Sequence, residues 1–192
     1  MSVLIGCEES GTITSAMRSR GIEAYSCDLL PTRGNPAWHI QGDVIDALES
    51  RQWSMAILHP VCTALSLSGN RWYGVNMPRH KDRLEAIDWT VNLWATAKRQ
   101  SARVALENPA SVIFKYLNAE VQYIQPWQFG HGETKRTGLA LHNLPRLKPT
   151  NIVEGREARI HKMPPGPNRQ RDRSKTYQGI ADAIADQWGS LI

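Results

Sequence analysis

The sequence predicts an open α/β fold, a mostly parallel, twisted, Rossmann-like sheet with helices on both faces. Short apolar runs alternate with longer amphipathic ones along the 192 residues, the pattern of strands joined by crossover helices. Residues able to do chemistry stand directly after several of those runs, where an open parallel sheet gathers its ligands. One domain over residues 1–192 is expected, because the chain is too short for two ordinary cores.

Each element has its own signal. Val3-Leu4-Ile5 reads as the first strand, and Gly6, Ser10, Gly11 and Thr12 suit a tight turn and a helix N-cap. That helix should run to about Arg20, stop at Gly21 and give way to a second strand, Ile22 to Ser26, ending at Asp28. Gly42-Asp43-Val44 precedes a helix from about Ile45 to Arg51, and Met55 to Leu58 is a buried strand that leads into His59-Pro60-Val61-Cys62. Between Asp82 and Gln100, Leu84, Ile87, Val91 and Trp94 recur at helical spacing, which predicts a long helix covering the sheet. Arg103 to Leu106 is a strand delivering Glu107-Asn108-Pro109, with the proline ending regular pairing. Val121 to Ile124 and Gly138 to Leu141 are strands around the loop from Gly130 to Arg136, and from about Thr176 a helix presents Ile180, Ile184, Trp188 and Leu191 on one docked face.

Composition narrows the function classes. No apolar run is long enough to span a bilayer, and the first residues, MSVLIGCEE, have neither a basic stretch nor a small-residue cleavage site, so a soluble, cytoplasmic chain is expected. Cys7, Cys27 and Cys62 form neither a CxxC pair nor an even disulfide set and should be reduced thiols. The histidines show no ligand spacing, so no metal is expected, and no GxSxG elbow of a serine hydrolase occurs. A net charge of +5 suits a polyanion, though many proteins that bind none carry as much. Its distribution is more telling: the segment 148–175 holds Arg156, Arg159, Lys162, Arg169, Arg171 and Arg173 among Pro, Gly and Asn, and reads as a flexible basic loop or arm.

Two strand ends carry the candidate chemistry. Cys62, after an apolar strand and before a polar loop, is a candidate thiolate; the other reading is a small buried hydrophobe. Glu107, just after an apolar strand, is poorly explained as a solvated surface charge. Asp28 could accept hydrogen bonds from a ribose or simply cap a turn. The run from Gly6 to Gly11 lacks GxGxxG spacing, and Glu8-Glu9 would repel a phosphate.

Taken together, these segments resemble the DNA cytosine-C5 methyltransferases, most closely the small phage-encoded members that lack a target-recognition domain. The resemblance covers nearly the whole chain. Ile5 to Gly11 is similar to the first cofactor motif, Tyr25-Ser26-Cys27-Asp28 to the second and Gly42-Asp43-Val44 to the third. Cys62-Thr63-Ala64-Leu65-Ser66 resembles the Pro-Cys motif, Glu107-Asn108-Pro109 the Glu-Asn-Val motif, and Thr176-Tyr177-Gln178-Gly179 the last motif. Gly132 to Arg136 is similar to the Gln-x-Arg-x-Arg motif, with Arg136 at its first arginine. Val61 stands in place of a proline, Gly138 in place of the second arginine, Glu8-Glu9 in place of glycines, and the basic segment 148–175 in place of the recognition domain.

The resemblance implies S-adenosylmethionine as cofactor, near Ile5, Gly6, Gly11, Asp28, Asp43 and Pro60. It implies Cys62 as the nucleophile at C6 of cytosine, Glu107 at N3 and the exocyclic amine, and Arg136 on a phosphate or the base carbonyl. Ser66, Asn108, Lys135, Arg169 and Arg171 would face the substrate, a flipped or single-stranded cytosine in DNA. Weak sequence specificity is expected, or specificity supplied by a partner protein. Two alternatives stand beside it: a reduced folate as donor or a free nucleotide as substrate, and a non-catalytic DNA-binding or decoy protein.

Overall fold

Val3–Gly6 and Met55–Leu58 are buried along their whole length and pair in parallel at the centre of a seven-stranded sheet. The structure, a computed structural model, describes residues 1–164, 166 and 169–192, without the side chains of His161, Gln170 and Arg171. In chain order the strands are β1 (Val3–Gly6), β2 (Ala24–Asp28), β3 (His39–Gln41), β4 (Met55–Leu58), β5 (Val104–Pro109), β6 (Glu120–Ile124) and β7 (Thr137–His142). The helices are α1 (Thr12–Arg18), α2 (Val44–Glu49), α3 (Asn70–Tyr73), α4 (His80–Gln100), α5 (Arg159–Lys162), α6 (Arg169–Ser174) and α7 (Gln178–Gly189). The sheet runs β3-β2-β1-β4-β5-β7-β6, with β7 antiparallel to both of its neighbours and β1 to β5 mutually parallel.

Successive side chains on a strand point to opposite faces, so a sheet covered on both sides needs apolar residues at every position. Val3 and Ile5 pack with α1 and α7 on one face; Leu4, Ala56 and Leu58 pack with α2 and α4 on the other. Ile180, Ile184 and Trp188 of α7 are buried as their spacing predicts, Leu191 is partly buried, and the Trp188 indole N–H donates to the Pro145 carbonyl at 3.0 Å.

One strand was unforeseen and three local expectations are corrected. β3 has no sequence signal, being two partly buried residues and one exposed one without an apolar run. The ladder continues through Pro109 opposite Thr137, because an antiparallel pair needs a donor only at alternate residues and Ala110 N–H takes up the next bond, to Arg136 O at 3.3 Å. Leu84 lies half exposed; the buried face of α4 is Ile87, Leu93, Trp94 and Ala97, with Arg83 and Thr90 among them. The basic segment is not wholly a loose arm, since it carries α5 and α6 and buries Ile160.

Candidate functional site

Parallel pairing of Leu58 with Leu106 makes β4 and β5 release their following residues side by side. His59 N–H donates to the Gly6 carbonyl at 2.9 Å, and its Nδ1 lies 3.3 Å from Glu107 Oε2, with side chains 13% and 19% exposed. The fully buried Asn108 donates through Nδ2 to Pro60 O at 3.0 Å, clamping the buried Pro60 to β5. Cys62 is half-buried, while Val61, at the place of the missing proline, is exposed.

The loop beyond Cys62 is held from several directions. The Cys62 carbonyl accepts from Leu65 N–H (3.1 Å) and Ser66 N–H (2.8 Å). Ser66 is buried and bonds Ser68 at 3.0 Å, and Ser111 Oγ donates to Leu65 O at 2.9 Å. Arg83, almost completely buried on α4, donates to Ala64 O (2.7 Å), Asn70 Oδ1 (2.8 Å) and Ser66 O (3.2 Å). A buried guanidinium satisfied by carbonyls fixes a loop with no regular structure of its own.

Charges around the pair set its resting state. Burial pushes the Cys62 thiol up and the Glu107 charge adds to that, against the opposing pull of Lys135 and Arg173. Burial acts to raise Glu107 too, but the His59 hydrogen bond, Lys135 and the His59 charge outweigh it and hold its carboxyl below the ordinary value. At neutral pH the site therefore holds a thiol beside a carboxylate, not a preformed thiolate. Lys135 acts on both groups, whereas the exposed Arg136 stacks its guanidinium on Tyr123 at 4.1 Å. Lys135 N–H donates to Gln125 Oε1 at 2.9 Å.

At the ends of β1 and β2 and just after β3 lie Cys7, Asp28 and Asp43. The Cys7 thiol is pushed up to about 12 by burial and then by the charges of Asp28, Cys27 and Asp43. Asp28 Oδ1 accepts from Leu30 N–H at 3.0 Å, and Asp43 caps α2 by accepting from Ile45 N–H at 2.7 Å. Ile5 is wholly buried in the core, and a Cβ on Gly6 would come within 2.6 Å of Val44 and 2.8 Å of Leu58, so both serve packing. Gly11 supplies a left-handed turn (φ 64°) before α1, against Gly34. Glu8, 4% exposed, accepts from Ile13 N–H (2.6 Å), Thr14 N–H (3.3 Å) and Thr14 Oγ1 (2.6 Å). Glu9 pairs with Arg33 at 2.7 Å. The donors opening α1 are thus taken by Glu8, which leaves no phosphate cradle there.

The loop Gly130 to Arg136 is tied to the basic segment and to the start of α7. Glu133 accepts from Arg159 Nε at 2.9 Å and from the Tyr177 hydroxyl at 2.6 Å. Burial would raise the Glu133 carboxyl, but these partners hold it below its ordinary value. His131 Nε2 accepts from Gly179 N–H at 3.0 Å, and a Cβ on Gly179 would lie 1.9 Å from the Phe129 carbonyl, so this approach requires glycine. Arg169 donates to Met163 O at 2.9 Å, and the Arg171 side chain lies outside the described residues.

Sequence reasoning missed His59 and Arg83, and it placed Glu8 and Arg173 only as a phosphate-repelling charge and as part of the basic segment. His59 was visible as the polar residue directly ending an apolar strand; Arg83 had no signal, since a charge on an amphipathic helix is ordinarily solvated. A cavity lined by Arg51, Trp53, Arg99 and Ser101 lies at the opposite, amino-terminal ends of the strands, away from Cys62. Among the described residues no three His, Cys, Asp or Glu side chains are grouped to hold a metal ion, and no helix is long and apolar enough to cross a membrane.

No protein-family model matches the chain, and no curated protein matches it by sequence. Solved structures do. The chain is similar to the Entamoeba histolytica methyltransferase EhMeth (TM-score 0.50, 15% identity), covering 83% of this chain and 58% of that one. It also matches the S. pombe Dnmt2 methyltransferase with a TM-score of 0.48 and 14% identity, over 84% of this chain and 53% of that one. The chain therefore spans little more than half the length of these structures. The strand order, the antiparallel β7 and the likeness to EhMeth identify the fold as that of the Rossmann-like class I methyltransferases.

Proposed function

We propose that the chain transfers a methyl group to C5 of a cytosine in DNA, using Cys62 as nucleophile, Glu107 as proton carrier and S-adenosylmethionine as donor. The observation that carries this reading is the placement of Cys62 in the loop after β4 and of the ionised Glu107 on the adjacent parallel β5, with Lys135, from the loop before β7, acting on both. The methyltransferase fold shared with EhMeth supports it.

C5 of cytosine is a weak nucleophile until a covalent bond at C6 turns the ring into an enamine. Cys62 forms that bond, and because its thiol is uncharged at rest, addition must release a proton. Glu107 is the adjacent base, and once protonated it donates to N3 while accepting from the exocyclic amine. Lys135 stabilises the negative charge that passes between them. After transfer the C5 proton passes to water and the Cys62–C6 bond breaks to release a thiolate; N3 returns its proton to Glu107, which passes it to the thiolate and regenerates the thiol.

S-adenosylmethionine, when bound, supplies an electrophilic methyl group. Asp28 and Asp43 would hold its ribose hydroxyls and adenine amine. Their negative charge, with Glu8 closing the start of α1, suits a cationic sulfonium better than the anionic tail of a folate. The basic segment, with Arg173 acting on Cys62, suits a phosphate backbone.

The test is transfer of labelled methyl from S-adenosylmethionine to single- and double-stranded cytosine-containing DNA. Transfer by the native chain and a loss of about 10³-fold or more in Cys62→Ala are expected. Transfer that survives Cys62→Ala overturns the reading.

A further inference from the structure

His59 is the polar side chain nearest Glu107 whose role the cysteine chemistry leaves open. It is fixed at two points, by the bond of its backbone N–H to Gly6 O at 2.9 Å and by Nδ1 3.3 Å from Glu107 Oε2. An ionised carboxylate only accepts hydrogen bonds, so Nδ1 carries the hydrogen and donates. Nε2 is buried and has no partner among the described residues, as is Asn108 Oδ1 on the neighbouring strand. A ring held by backbone at one end and by a carboxylate at the other restricts how that carboxylate can turn.

We propose that His59 is a positioning residue that locks Glu107 through Nδ1–H···Oε2, so that Oε1 carries the proton to N3 while the second lone pair of Oε2 accepts from the amine of the target base. The inference rests on the pyrimidine reading above and goes further, making the working acid a two-residue unit. The groups that face the unit are Lys135 from the loop before β7, Cys62 from the loop after β4, and Glu8 from the turn between β1 and α1. A histidine kept only for packing would be replaceable by any side chain of its volume; a positioning histidine requires a donor at Nδ1.

His59→Leu fills the space without a donor, and His59→Asn restores an N–H near the Nδ1 position. Two readouts on the full chain decide. The first is the titration midpoint of the Glu107 carboxyl by carbon NMR, assigned with Glu107→Gln; it is expected to rise in His59→Leu and to rise less in His59→Asn. The second is methyl transfer: His59→Leu should lower kcat about 100-fold with KM for DNA within about 3-fold, and His59→Asn should recover to within about 10-fold of the native chain. A Glu107 midpoint unchanged in both variants, or equal kcat losses in both, overturns the proposal; if the leucine variant does not fold, an asparagine variant that loses about 100-fold or more in kcat overturns it alone. A native chain that methylates no base while the midpoint still rises would sink the methyl-transfer reading and support the His59–Glu107 pair.

Discussion

Lys135 and Arg136 are adjacent in sequence, yet one acts on Cys62 and Glu107 and the other stacks on an aromatic ring. Consecutive residues entering a strand face opposite sides, so a shift of one position decides which cation serves the site. Lys135→Met should therefore lower methyl transfer by about 10²-fold, and Arg136→Met by less than about 3-fold. Paired single-turnover rates check this, and the reverse ranking would overturn the assignment of Lys135. Glu107 without Lys135 should also titrate nearer the ordinary Glu value, because one of the groups that lowers it is gone.

The long helix α4 does two jobs. Its apolar residues, Ile87, Leu93, Trp94 and Ala97, cover the sheet, and one turn before them Arg83 reaches into the loop that carries Cys62. Removing the guanidinium leaves the Ala64 and Ser66 carbonyls without that donor. Arg83→Met should cost roughly 2–3 kcal/mol of stability, seen as a fall in Tm of about 4–12 °C for a chain of this size. It should also raise hydrogen exchange in residues 62–70. A variant that melts normally with an unchanged loop would show that Arg83 does not hold it.

Over the whole molecule, contacts distant in sequence tie the basic segment to the rest of the fold. Glu133, Arg159 and Tyr177 come from three segments and meet through one carboxylate. Because the folded state holds that carboxyl below its ordinary value, the latch adds stability above the ordinary Glu range and loses it as pH falls through the lowered value. Glu133→Gln should reproduce the acid state at neutral pH. Hydrogen exchange in residues 157–162 and 176–179 should then rise several-fold while the central strands stay protected. Unchanged exchange in those segments would mean that the latch does not tie the basic segment down.

The apolar runs at Val3, Met55 and Val104 and the helical spacing from Ile180 to Trp188 were enough to read an open α/β sheet, because burial on both faces demands continuous apolar strands. Cys62 and Glu107 stood out as candidates because each follows such a run, Glu107 directly after Leu106 and Cys62 in the loop beyond Leu58. Pairing is not written in a run of residues, so the antiparallel β7, the short β3 and the passage of the ladder through Pro109 were decided by tertiary structure. The ionisation of the site was decided there as well. Whether Cys62 rests as a thiol and Glu107 as a carboxylate depends on burial and on His59, Lys135 and Arg173, and these are brought within electrostatic reach only when the strands pair and the basic segment folds back.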